Sequence, residues 1–427
     1  MIKHLFFVIL AALLLASCGG KEEKAATKPA AKASVPVDTA LQSRLKAFAT
    51  APRCQGRFGL YVYDLTAGKA VYADSADVAQ PVASNMKLLS GVAALRRLGS
   101  RYLYKTTLYT RGTVSGDTLH GDIRLVCGLD PMLTADSLRL FARHLRRAMG
   151  IRYVDGESYL QLTLNDKVEA EEHWYPWDLS FSHYGILFKG RPVVEKAWRN
   201  ALRAEGVGMR PATTPMASVA TTGGEWQGRY RHIRSVDRVT RRMWKNSSNT
   251  QATSLLYTLG FAELARGSKT SLGGNTTGKA AADAGVAYLR AFLRDTLGQT
   301  NPALVVHDGC GLCTHNHLSP RALVAVLTYG YQHKDIYRQL MANLAVSGTD
   351  GTLMRLVSDP RVRGLIHAKT GTLSHPYGIS SLAGYCRGAD GHDLCFALID
   401  SQMSVLDAHV LQRKLCLALV GKGRVAR

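Results

Sequence analysis

QPVASNMKLLSGVAALRRLG, residues 80–99, is the stretch whose reading decides the fold. Pro81 ends an extended segment, because its ring fixes φ and removes a backbone donor. From Met86 to Leu98 apolar residues recur at helical spacing. Just upstream, RFGLYVYDLTAGKAVYAD (57–74) alternates apolar with polar positions around a Gly-containing turn, which predicts strand, turn, strand. Ser84 and Lys87 stand i, i+3 where the helix begins, so hydroxyl and ammonium share one face about a turn apart. A Ser hydroxyl is a poor nucleophile until a base takes its proton, and a neutral Lys is such a base. Desolvation or a neighbouring positive charge makes a Lys neutral. A helix N-terminus also offers backbone N–H to an oxyanion. Alone, S-x-x-K is common by chance.

Outward from this stretch, Asp38-Thr39 is placed to cap a helix through LQSRLKAFAT (41–50). Residues 101–127 read as short strands with Gly turns, 137–150 as a helix, and 150–225 as short strands mixed with loops. Residues 249–264, 281–298 and 319–332 have helical periodicity. ISSLAGYC (379–386) and LCFALID (394–400) return to strand, and VLQRKLCLALV (410–420) closes the chain as a helix. Strands at both ends with helices between predict an α/β (α+β) architecture whose sheet draws on both extremities of the chain.

Two further polar patterns follow Ser84-Asn85-Met86-Lys87. Ser247-Ser248-Asn249 precedes an apolar helical segment and also suits a helix cap. Lys369-Thr370-Gly371-Thr372 ends IHAKTGTL, where Gly lets a backbone approach a ligand and Lys with Thr can hold a carboxylate. Each is weak alone. In the order S-x-x-K, S-x-N, K-T-G they match the three signatures of penicillin-binding proteins and serine β-lactamases.

Over nearly all of residues 40–420 the chain resembles the D-alanyl-D-alanine carboxypeptidases of the class C low-molecular-mass penicillin-binding proteins. The resemblance is carried by the three motifs together with GDIRLVCGLDPML (121–133), Ile233-Arg234-Ser235, HDGCGLCTHNHLSP (307–320) and SGTDGTL (347–353). Ser248 stands where the family usually has Asp, Thr253 where Glu is common, and Cys310 and Cys313 where serines are usual. The resemblance implies a β-lactamase/transpeptidase-like catalytic domain over 38–105 and 228–427, with an inserted domain over about 106–227. It implies a serine-type D-Ala-D-Ala carboxypeptidase acting on peptidoglycan stem peptides, D,D-endopeptidase action as an extension, and β-lactams as inhibitors. Residue by residue, Ser84 is implied as nucleophile and Lys87 as its base. Ser247 and Lys369 would relay a proton to the leaving amine, Asn249 would bind the substrate backbone, and Thr370, Gly371 and Thr372 would hold the carboxylate end. Two alternatives carry the same motifs. A β-lactamase is disfavoured by the long interval between Ser84 and Ser247, and a non-catalytic wall-binding lipoprotein by the intactness of all three motifs.

Composition bounds the rest. A chain of 427 residues with 46% hydrophobic content suits two or three domains with substantial cores. Lys plus Arg number 54 against 32 Asp plus Glu, net +22, without a basic run long enough for a nucleic-acid arm. Residues 1–17 have the layout of a secretory signal, and Leu15-Ala16-Ser17-Cys18 resembles the lipoprotein box, making Cys18 the expected lipid anchor. Residues 18–37 read as a flexible tether. Export argues against nucleic acid and for an envelope lipoprotein; Gly19 after Cys18 favours the outer membrane facing the periplasm, and the GGKEE stretch (19–23) resembles surface-export signals.

Four other features have plainer readings. Cys386 and Cys395 flank a turn and are candidates for a disulfide across a hairpin. His307, Cys310, Cys313, His315 and His317 crowd one loop, whereas structural zinc sites draw ligand pairs from separated segments, so neither metal nor cofactor is expected. Gly273–Lys279 fits G-x-x-x-x-G-K but lacks the following Ser/Thr. The basic run 229–245 reads as a solvated face near the cleft.

Overall fold

The computed structural model describes residues 36–53, 55–210, 216–217, 224–267 and 276–421. Cys18, the signal segment and all but the last two residues of the expected tether lie outside them, as does Gly273.

Hydrophobic alternation at the two chain ends builds one sheet. Its strands are β1 (Arg57–Asp64) and β2 (Lys69–Asp74) from the N-terminal side, and β11 (Ala345–Val346), β12 (Ile366–Leu373), β13 (Ile379–Arg387) and β14 (Asp393–Ser401) from the C-terminal side. Their order is β11-β12-β13-β14-β1-β2, antiparallel throughout. Both faces are covered, as β13 and β14 show by burial at nearly every position. Successive side chains point to opposite faces: Cys395, Ala397 and Ile399 join one apolar cluster, Leu394, Phe396 and Leu398 the other. Each fully buried large aliphatic or aromatic side chain contributes about 1.5–3 kcal/mol.

Helices α1 (Thr39–Ala49) and α11 (Val405–Val420) pack together on one face. Asp38 caps α1, its carboxylate accepting from Leu41 N at 3.0 Å. On the other face lie α2 (Met86–Leu98), α5 (Val236–Lys245), α6 (Asn249–Gly267), α7 (Gly278–Ala291), α8 (Pro320–Gln332) and α9 (Lys334–Asn343). A short helix, α10 (Leu353–Leu356), follows β11, and a ribbon joins β3 (Gln80–Pro81) to β10 (His317–Leu318).

A second sheet occupies residues 103–235. Its strands are β4 (Leu103–Ser115), β5 (Thr118–Cys127), β6 (Tyr153–Val154), β7 (Ser158–Leu162), β8 (Gly208–Met209) and β9 (Gln227–Ser235), in the order β8-β6-β5-β4-β9 with β7 also on β5. Helices α3 (Ala135–Arg143) and α4 (Arg191–Ala204) pack against each other beside it. The fold is thus the α/β (α+β) arrangement expected, one sheet drawn from both chain ends and a second sheet formed by the residues between them.

Four local expectations need correction. Residues 101–127 form two long paired strands rather than several short ones: the ladder runs from Thr106↔Cys127 to Ser115↔Thr118, with Gly112 opposite Gly121 inside it, so these glycines lie within the strands and not in turns. Residues 191–204, expected as loop or strand, are helical: Pro192 sits in the first turn and Val194, Trp198, Ala201 and Leu202 form a buried stripe. The basic run 229–245 is only half a solvated face, since α5 buries Val236, Val239, Met243 and Trp244 while its Arg residues point outward. Cys386 and Cys395 are unpaired thiols. Register explains it: Cys395 opposes Tyr385 and Cys386 opposes Leu394, so a one-residue offset sends the two sulfurs to opposite faces.

Candidate active site

Where β3 ends, Ala83–Asn85 form a 3-10 turn leading into α2. Ala83 has φ 46°, a left-handed conformation unfavourable for a residue with a Cβ. The surroundings impose it. Ser381 on β13 donates to Val82 O at 2.7 Å and accepts from Asn85 Nδ2 at 2.7 Å, pinning the turn to the sheet. Strand β12 presses from the side: a Cβ on Gly371 would lie 2.3 Å from Ser381 Oγ and 2.6 Å from Val82 O. From the other side comes the loop 307–316, where Gly311 has φ 80° and a Cβ would meet Ala83 O at 1.9 Å. Glycine is required at both places.

The turn presents Ser84, half-buried, to Lys87, which is fully buried. Lys87 Nζ donates to Ser84 Oγ at 2.7 Å, to Asn249 Oδ1 at 2.7 Å and to the Cys310 carbonyl at 2.5 Å. These three acceptors use all three ammonium protons. Burial lowers the Lys87 pKa to about 8, with Cys310 and Asp308 pulling the other way. Trp244, itself buried, donates from Nε1 to Lys87 O at 2.7 Å and fixes the backbone from beneath.

Asn249 opens α6, and Ser247, two residues earlier, has φ 57°. Ser247 Oγ accepts from Lys369 Nζ at 2.8 Å, and Lys369 also donates to Thr370 O at 2.6 Å. Lys369 is fully buried on β12, its pKa held well below the ordinary value first by burial and then by the charge of Lys87. The Thr370 hydroxyl donates to Thr352 Oγ1 at 2.9 Å, and Thr372 is exposed at the mouth of the strand. The structure therefore gathers Ser84, Lys87 and Asn249 into one hydrogen-bonded group. Ser247, Lys369 and Thr370 form a second, joined to the first through the close approach of Gly371 to the turn 82–85.

The model of the D-Ala-D-Ala carboxypeptidase 3 (S13) family matches residues 41–185 and 236–417, more than half of the chain. The chain belongs to that family. It is a peptidase, hence a hydrolase, of the D-Ala-D-Ala carboxypeptidase class, and so falls within the resemblance seen in the sequence. It is 24% identical over 444 aligned residues to the D-alanyl-D-alanine carboxypeptidase of Actinomadura sp. (strain R39), covering 85% of this chain and 81% of that one. The fold is similar to penicillin binding protein 4 (dacB) of Haemophilus influenzae, with TM-score 0.67 and 18% identity over 87% of this chain and 97% of that one. It is also similar to Bd3459, a predatory peptidoglycan endopeptidase of Bdellovibrio bacteriovorus, with TM-score 0.54 and 16% identity over 87% and 95% of the two chains.

Several residues of this family member's cleft escaped the sequence reading. Cys310 contributes its carbonyl, which side-chain chemistry does not reveal. Asp308 organises the loop: its Oδ1 accepts from Cys310 N, Gly311 N and Asn316 Nδ2, and its Oδ2 from Cys313 N and Trp174 Nε1. Thr352 belongs to SGTDGTL, a stretch visible in the sequence without an assigned role. The Gly273–Lys279 match loses its rationale where it is described: Gly278 N, in the first turn of α7, donates to Asp166 Oδ2 at 2.8 Å, so a carboxylate already occupies the place a phosphate would take.

Proposed function

We propose that the protein cleaves the terminal D-alanine from peptidoglycan stem peptides through an acyl-enzyme on Ser84. The observation that carries this reading is the fully buried Lys87 with Nζ 2.7 Å from Ser84 Oγ. Once neutral, Lys87 takes the Ser84 proton as the hydroxyl attacks the D-Ala carbonyl. The oxyanion forms against the N–H groups of Ser84 and Thr372. Ser247, hydrogen-bonded to Lys369, passes a proton to the leaving D-Ala nitrogen, and the carbon–nitrogen bond breaks. Asn249 holds the substrate backbone, while Thr370, Gly371 and Thr372 bind its carboxylate end. Water then attacks the ester by the same route and restores Ser84. A β-lactam carbonyl enters the same path and leaves Ser84 acylated.

The reading extends to the whole chain. Residues 106–227 serve as the inserted domain between the catalytic segments 38–105 and 228–427. In support, the second sheet runs through 103–235, and the family match omits 186–235. Cys18 carries lipid that anchors the protein in the envelope, on the outer membrane facing the periplasm; labelled fatty acid incorporated into wild type and lost in Cys18→Ala is the expected result. D-Ala release from stem pentapeptides and cleavage of cross-linked stems, followed by mass analysis of soluble wall fragments, test the main reading. Wild type is expected to release D-Ala and Ser84→Ala none. Equal release by both would remove Ser84 from the chemistry, and rapid turnover of penicillin without D-Ala release would indicate a β-lactamase.

A further inference from the structure

We propose that Glu171, His173, His307 and Cys313 bind one zinc ion that fastens the segment after β7 to the loop supporting Lys87. In the sequence, the metal-binding residue types of 307–317 lie in one short loop. The fold brings a second pair from more than a hundred residues away: Glu171 and His173 face His307 and Cys313, with one donor atom from each residue, all within 4.8 Å of one another. Two pairs from separated segments are the usual make-up of a structural zinc site.

The geometry is close to what zinc requires. Zinc bond lengths of about 2.0–2.3 Å place tetrahedral donors about 3.3–3.8 Å apart. Glu171 Oε1 lies 2.7 Å from His173 Nδ1 and 3.5 Å from His307 Nδ1. Side-chain adjustments of about an ångström bring the four donors to those spacings. One thiolate, two imidazoles and one carboxylate form a borderline-soft set, which suits zinc and not calcium or magnesium. Binding releases the Cys313 thiol proton to solvent, moves the His173 N–H from Nδ1 to Nε2 by exchange with solvent, and replaces the Glu171–His173 hydrogen bond with two metal–ligand bonds.

The supporting contacts are in place. His307 N donates to Asn316 Oδ1 at 2.7 Å, and Cys313 N donates to Asp308 Oδ2 at 2.9 Å. Trp174 Nε1, from the first segment, donates to the same Asp308 oxygen at 2.7 Å, so the two segments are already registered. The ring of His315 lies against that of His173, centroids 4.3 Å apart, and shields the group from one side. A cavity of about 620 Å³ that includes Glu171 and His307 in its wall gives the ion a path from solvent. Four protein ligands leave no open position, so the ion is structural. Its effect reaches catalysis through the loop, because Cys310 lies between His307 and Cys313 and its carbonyl holds Lys87.

The test uses the full chain, stripped with a chelator and then given zinc alone in competition with a chromogenic chelator. Wild type is expected to bind one zinc per chain and to melt several degrees higher with the ion. His173→Ala and Cys313→Ser, checked for fold by circular dichroism, are expected to lose at least about 100-fold in affinity. Cobalt in place of zinc should give a near-ultraviolet thiolate charge-transfer band in wild type that Cys313→Ser lacks. Absence of stoichiometric binding and of any melting shift in wild type overturns the proposal, whatever the variants do. Zinc affinity unchanged in both folded variants overturns it equally.

Discussion

Two ends of one cleft each bury a lysine completely, and they bury it differently. At the Ser84 end Lys87 donates to two side-chain oxygens and a carbonyl, and Cys310 and Asp308 on the neighbouring loop favour its charge. At the other end Lys369 donates to Ser247 and to its neighbour's carbonyl, and the charge that acts on it is the like charge of Lys87. Burial pushes both toward neutrality. Cys310 and Asp308 oppose this at Lys87, whose pKa falls to about 8, within reach of a working base, whereas at Lys369 the charge of Lys87 adds to the effect of burial. The two lysines, alike in burial, thus differ in the charges around them: Cys310 and Asp308 favour the charged form of Lys87, and Lys87 opposes that of Lys369.

The comparison breaks most visibly at Lys87. Lys87→Ala should slow acylation by a fluorescent penicillin by about 10²–10⁴-fold with the fold intact; near-normal acylation would place the base elsewhere. Lys369→Ala should cost less, about 10–100-fold in kcat/KM for D-Ala release, the worth of a hydrogen bond to a group that is charged for part of the cycle. A loss there equal to that of Lys87→Ala would erase the asymmetry. Acylation by wild type should rise with pH, because the neutral base is the reactive form and its fraction grows as pH climbs through about 8. Below that point the rise is about tenfold per unit, flattening above it, so a flat profile between pH 6 and 9 contradicts the assignment. The smallest effect belongs to Ser248→Asp, about threefold or less. Ser248 Oγ contacts Thr250 and Gln251, its own helix turn, and neither lysine.

Much of this was legible before any coordinates. Ser84, Lys87, Ser247, Asn249 and Lys369 are recognisable because the chemistry restricts residue type at a few fixed spacings. Strands at the two chain extremities announced the shared sheet through unbroken apolar alternation. What stayed hidden was of four kinds. The Cys310 carbonyl is a backbone atom that any residue could supply. Helix α4 did carry a signal, in Pro192 and the spacing of Val194, Trp198 and Leu202, but Gly, Pro and Thr on either side dominated the reading of 150–225. Cys386 and Cys395 failed as a pair through one residue of register, which composition cannot reveal. The nearness of Glu171 and His173 to His307 and Cys313 is a purely long-range fact.

The central claim is that Ser84 attacks through a neighbouring buried amine. Peptide mapping by mass spectrometry after brief exposure to penicillin tests it most directly. A single adduct on the peptide containing Ser84, formed in wild type and missing from Lys87→Ala over the same interval, is the predicted result. An adduct on any other residue, or one on Ser84 that forms equally fast without the Lys87 amine, would contradict it.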